Sequence, residues 1–146
     1  MSLPKPLPGL VIRYNYLWAG DARDNRIEGE KARPVAVVMA VESPGGSDIR
    51  VYALPITHSQ PNKETVAMEI PAVVARAAGL DSASSWVILS EFNEFAWPGF
   101  DLEPIPERVP RTMAYGFLTP AFFAKLRDRW LALDAAGKSH PVPRDE

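Results

Sequence analysis

Polar and apolar positions separate by parity across residues 10–18. Leu10, Ile12, Tyr14, Tyr16 and Trp18 fall on one side, and Val11, Arg13, Asn15 and Leu17 on the other. A period of two predicts a strand with one apolar face. Residues 20–32 (GDARDNRIEGEKA) are too hydrophilic to bury and lack a helical period, so they read as a long loop. Residues 35–41 (VAVVMAV) are apolar on both faces, as in a central strand. The turn-rich 43–48 (SPGGSD) then joins them to a second strand over 49–56 as a hairpin. Residues 57–63 read as loop and 64–70 alternate as a strand. Residues 71–78 (PAVVARAA) predict a short helix with Pro71 at its first position and Gly79 at its end. A further apolar strand is expected over 86–90. Residues 98–110 hold four prolines and no period, so they predict an irregular connection with a short strand beyond it. Thr119 can cap the last element, Pro120 suits a first helical turn, and Phe122, Leu126, Trp130 and Leu133 recur at helical spacing before Gly137. The polar 138–146 (KSHPVPRDE) reads as a frayed tail. The expected organisation is one domain over 1–137 plus that tail. Its class is mainly β with helices: a small, curved antiparallel sheet or barrel followed by a C-terminal amphipathic helix.

Composition narrows the function. With 146 residues, 47% hydrophobic and 23% charged, the chain suits one globular core. No apolar run approaches the roughly 18–20 residues that span a bilayer. The absence of Cys excludes disulfide scaffolds, zinc ribbons and thiol nucleophiles, and suits a reducing cytosol. The opening MSLPKPLPGL shows no secretory pattern, so a cytoplasmic location is expected. A net charge of −2 argues against a surface that grips nucleic acid all over. Residues 1–33 hold 6 Lys/Arg against 4 Asp/Glu, however, whereas residues 34–102 hold 3 against 8. A phosphate-binding surface would therefore be a local patch drawn from Arg13, Arg23, Arg26, Lys31 and Arg33; the same letters also describe a solvated loop of both signs.

Few catalytic constellations survive. His58 and His140 are the only histidines and form no metal-ligand spacing. Asp21, Asp24, Glu28 and Glu30 do not follow the order of a calcium loop and read as a solvated acidic stretch. Gly45-Gly46 is a hairpin turn with no Lys-Ser/Thr after it, so no phosphate loop is expected. No metal or cofactor is anticipated. What remains is polar residues at strand ends. If residues 35–41 and 49–56 pair through the turn, Arg33 comes to the same end of the hairpin as Thr57, His58 and Ser59. An Arg, a hydroxyl and a His on one rim suit a phosphodiester, as clamp, positioning donor and proton carrier. A surface Arg and a satisfied rim His would leave the same letters.

Gly9-Leu-Val-Ile in a first strand, Glu28…Lys31-Ala-Arg33-Pro34 followed by four apolar residues, and Leu54-Pro55-Ile56-Thr57 occur in an order that resembles the MazF/PemK family of bacterial toxins. Gly116-Phe-Leu-Thr-Pro before an amphipathic helix is similar to that family's ending. The likeness runs in ordered blocks over about residues 9–134. It implies an SH3-like curved barrel of the MazF/PemK/CcdB type and a homodimer. It also implies a toxin of a type II toxin-antitoxin system: a metal-independent endoribonuclease that cuts single-stranded RNA and is silenced by a cognate antitoxin. Such chemistry sends a ribose 2′-OH onto the adjacent phosphorus and needs a base, an acid and a cation. Arg33 matches the family's Arg-Pro arginine and Thr57 the Thr after Pro. Glu91 is the carried-over candidate base and His58 the candidate acid. Glu28 matches an acidic residue of either catalytic or structural role. Arg13, Arg26, Lys31 and Ser59 would hold the RNA. The chain departs from the pattern at Arg26, where Gly is expected, at Leu89, and at Glu94, where a basic residue is common.

Two readings follow. In the first, Tyr14, Tyr16 and Trp18 partly line a groove where bases stack and the rim residues cut RNA. In the second, those aromatics are core or dimer contact, and an inactive toxin-like barrel works by binding a partner protein.

Overall fold

A computed structural model describes residues 3–20, 32–62, 65–81 and 83–144. The fold is mainly β: a curled, largely antiparallel half-barrel sheet with helices packed on one face. Strand β1 (Leu10–Tyr14) lies between β2 (Arg33–Glu42) and the later β7 (Ala114–Phe117). Strand β2 pairs with β3 (Ile49–Thr57) through the 43–48 turn, where the Ser43 N–H donates to the Asp48 carbonyl at 2.8 Å. An irregularity between Val37 and Met39 shifts the ladder, as a bulge does where a sheet must bend.

The far edge of β3 is shared. Its last residues pair with β5 (Ser85–Ile88), which carries β4 (Ala67–Ile70) on its outer side. Its first residues pair with β6 (Glu91–Ala96), which carries β8 (His140–Pro143) in parallel. The sheet therefore forks along β3.

Parity fills both faces of the sheet. Val11, Ala36, Val38, Leu54, Ile56 and Val87 point to the face covered by α1 (Ala72–Ala77) and α2 (Pro120–Ala135). Phe122, Leu126 and Trp130 of α2 are buried there, with Leu133 packed at the margin. Leu10, Ile12, Tyr14, Val35, Val37, Val51, Ala53 and Phe95 fill the opposite face, joined by Tyr16 and, at its edge, Trp18. Leu10, Ile12, Tyr14 and Tyr16 do share one apolar face as expected, but Val11 is fully buried against the other, so β1 is apolar on both sides and not on one; regular strand ends at Tyr14.

Helix α1 follows Pro71 and stops at Gly79, whose φ of +79° few other residues adopt. The Gly79 N–H donates to the Arg76 carbonyl and the Leu80 N–H to the Ala75 carbonyl, so the last carbonyls are satisfied. Helix α2 ends in the same way around Gly137. The α1 terminus also seals the curled sheet against β7. A Cβ at Gly79 would meet the Tyr115 carbonyl oxygen at 2.6 Å, and one at Gly116 would meet the Ala78 carbonyl oxygen at 2.9 Å.

Three expectations need correction. Thr119 occupies the N-cap of α2, but its side chain makes no capping bond. Residues 91–96, for which the pattern predicts no element, form β6. Residues 138–144 do not fray. The N–H groups of His140 and Arg144 donate to the carbonyls of Ser90 and Glu94, at 3.0 and 2.9 Å. Pro141 and Pro143 fall on the alternate positions, whose N–H would point away from β6. Buried Ser139 accepts from Trp130 Nε1 at 3.1 Å and donates to the Leu89 carbonyl at 2.7 Å, pinning the start of β8 beneath α2.

A candidate phosphodiester-binding cleft

Arg33 opens β2 opposite Tyr14 of β1, and Thr57 closes β3 opposite Trp86 of β5. The β2–β3 ladder ends at the Val35–Pro55 pair, two residues short of Arg33 and Thr57, so both residues come to the same end of the hairpin. Both lie where the sheet ends and two clefts meet. The larger, about 960 Å³, is walled by Arg13, Arg33, Thr57, His58, Ser59 and Tyr115 among others. The smaller, about 460 Å³, contains Trp18, Asn62, Ser90 and Glu91 and shares Arg33, Thr57 and Ser59 with the first. Arg33, Thr57 and Ser59 thus form the ridge between them.

Each candidate has defined partners. The Arg33 guanidinium lies 5.0 Å from the Trp18 ring centroid, a cation–π placement that holds it over an aromatic surface. Thr57 Oγ1 accepts the Ser59 N–H at 3.1 Å, which fixes the hydroxyl and leaves its own proton to donate. His58 Nδ1 is 2.9 Å from the Ser84 carbonyl and 3.2 Å from Ser85 Oγ. A carbonyl only accepts, so a proton sits on Nδ1; Nε2 lies 3.4 Å from Asp81 and pairs with its carboxylate when it carries a proton as well. This is a His–Asp pair half open to solvent. Glu91 is held differently. Its Oε1 accepts from the Tyr16 hydroxyl at 3.0 Å and from the Ala19 N–H at 2.9 Å. Burial, and after it the Glu91 charge, pushes the Tyr16 phenol well above its ordinary value, so it remains a donor.

The structure therefore gathers Arg33, Thr57, His58 and Ser59 at one end of the sheet. Arg13 stands on the wall of the larger cleft and Glu91 in the smaller one. Arg26, Lys31 and Glu28 lie outside the described residues. Among the described residues no group of three His, Cys, Asp or Glu is close enough to hold a metal ion. Sequence reading missed Asp81, the partner of His58, because it follows the end of α1 and only the tertiary fold brings it there. It also missed Arg108 and Tyr115. Arg108 sits in the proline-rich connection, with its guanidinium 5.6 Å from the Tyr115 ring centroid.

No family model, no curated protein and no solved structure matches this chain.

Proposed function

We propose that this chain is a metal-independent endoribonuclease acting on single-stranded RNA. It would be the growth-inhibiting toxin of a type II toxin-antitoxin pair, with an SH3-like barrel of the MazF/PemK kind. It works in the cytoplasm as a homodimer, without a cofactor, and is neutralised by a cognate antitoxin. No helix among the described residues is long and apolar enough to cross a membrane.

The observation that carries the reading is the ridge of Arg33 and Thr57, with Glu91 in the cleft on one side and His58 in the cleft on the other. In-line displacement at phosphorus places the attacking and leaving oxygens on opposite sides, so base and acid belong on opposite sides as well. The 2′-oxygen forms a bond to phosphorus as its proton passes to Glu91. The bond from phosphorus to the 5′-oxygen breaks as that oxygen takes a proton from His58. Arg33 meets the charge on the phosphorane and Thr57 donates to a phosphate oxygen. Trp18 offers a ring on which a neighbouring base stacks. The nucleophile is the substrate's own hydroxyl, which needs no metal to generate it.

The test is induced expression of the wild type and Arg33→Ala in bacteria, with RNA 5′-end mapping and cleavage of the same RNA in EDTA. Cuts that survive EDTA and vanish in Arg33→Ala, at nearly unchanged melting temperature, are expected. Equal cleavage by the variant overturns the proposal.

One observation favours a second reading. Glu91 and His58 already have hydrogen-bond partners within the fold, as they would in a barrel that only binds a partner protein. In that case added RNA leaves the backbone amides around Arg33 and Thr57 undisturbed in an NMR titration.

A further inference from the structure

At the wall of the larger cleft, two guanidinium groups converge on one tyrosine. Arg13 Nη1 donates to the Tyr115 hydroxyl at 3.1 Å, and Arg108 lies over the face of the same ring while Nη2 donates to the Gly79 carbonyl at 3.1 Å. Neither forms an ion pair with a carboxylate among the described residues. The acidic groups of the same cleft are Asp81, engaged with His58, and Glu107. Glu107 has a φ of +64°, a left-handed conformation that a residue with a side chain adopts at a cost of about 1 kcal/mol or more. That backbone turn sets Arg108 against Tyr115. Two like charges held against one tyrosine on the wall of one cleft, by a strained loop on one side and a central strand on the other, favour an anion there.

We propose that Arg13, Arg108 and Tyr115 form a second phosphate subsite, which takes a backbone phosphate of the same RNA strand whose scissile phosphate lies at Arg33 and Thr57. This rests on the nuclease reading above and extends it. The RNA follows the larger cleft away from the ridge, and affinity for a longer strand comes from this subsite without contributing to the chemical step.

The probe is a mixed-sequence 2′-O-methyl RNA dodecamer, which cannot be cleaved because the attacking hydroxyl is blocked. Binding to the wild type, Arg108→Ala and Arg108→Lys is titrated over a range of salt. Each phosphate contact on a single strand contributes roughly 0.7 to the slope of log affinity against log salt. Arg108→Ala is expected to weaken binding several-fold at low salt and to flatten that slope by about this amount. Arg108→Lys should restore most of both, and single-turnover cleavage of saturating RNA should be unchanged in either variant. Inorganic phosphate serves as the control for source. Shifts at Tyr115 with phosphate as strong per anion as with the dodecamer mark a free-anion site and overturn the RNA-tracking proposal. Wild-type binding that Arg108→Ala leaves unchanged overturns the subsite alone. Failure of the wild type to bind the dodecamer overturns the nuclease reading and the subsite with it.

Discussion

Glu91 and Asn93 lie two residues apart on β6 and share a face with Phe95, which stacks on Tyr14 with ring centroids 4.4 Å apart. Both polar side chains hold the segment that follows β1. Asn93 is fully buried, accepts the Leu17 N–H at 2.9 Å and donates to the Leu17 carbonyl at 2.8 Å, doing with a side chain what a neighbouring strand does with its backbone. Asn93→Leu strands both Leu17 groups and is expected to cost about 3 kcal/mol in urea unfolding. Glu91 combines two roles that one substitution separates. Glu91→Gln keeps an oxygen for Tyr16 and Ala19 but cannot take a proton. Its melting temperature should stay within a few degrees of wild type while RNA cleavage falls by about 100-fold or more. If cleavage persists, Glu91 serves only to secure the 16–19 segment that carries Trp18.

At the scale of elements, what could be read from the chain depended on whether burial and apolarity coincide. The β2–β3 hairpin is legible because its central run is apolar on both faces and SPGGSD can only turn. With it came the one part of the site that hairpin geometry dictates, Arg33 and Thr57 at the same end. Strand β6 is hidden because one face carries half-buried Glu91 and fully buried Asn93, polar groups whose partners lie far away in sequence. Strand β8 is hidden because Pro141 and Pro143 look like breakers, and only the ladder reveals that they occupy positions that need no N–H. Arg108 was beyond reach because its place depends on a loop conformation with no periodic signal. The junction of α2 and β8 is open to test at Ser139. Ser139→Ala leaves the Trp130 Nε1–H and the Leu89 carbonyl buried without their partner, and should lower stability by about 2 kcal/mol. Near-ultraviolet circular dichroism of Trp130 reports whether the helix loosens with it.

For the whole molecule, a net charge of −2 coexists with arginines gathered at one end of the sheet, so attraction for a polyanion is local and short-ranged. Global stability should also respond to alkali. The folded state keeps the Tyr16 phenol protonated to higher pH than the unfolded chain does, through burial first and the Glu91 charge second. The stabilisation from this difference is fully present below pH about 10 and is lost as pH rises beyond it, at up to about 1.4 kcal/mol per pH unit. Tyr16→Phe removes that titration. Its stability measured from pH 8 to 11 should fall less steeply than wild type, with the remaining slope including Tyr52, which is raised by burial and then by Glu94. The position of β1 has a consequence in time. It lies inside the sheet, yet one of its neighbours, β7, pairs Leu10 with Phe117 and is made from residues far along the chain. Contacts of such long sequence separation form late, and sheets dominated by them fold over milliseconds to seconds. Until then β1 presents an open row of N–H and C=O groups to any other copy nearby. The interval before β7 arrives is when this chain is most exposed to self-association.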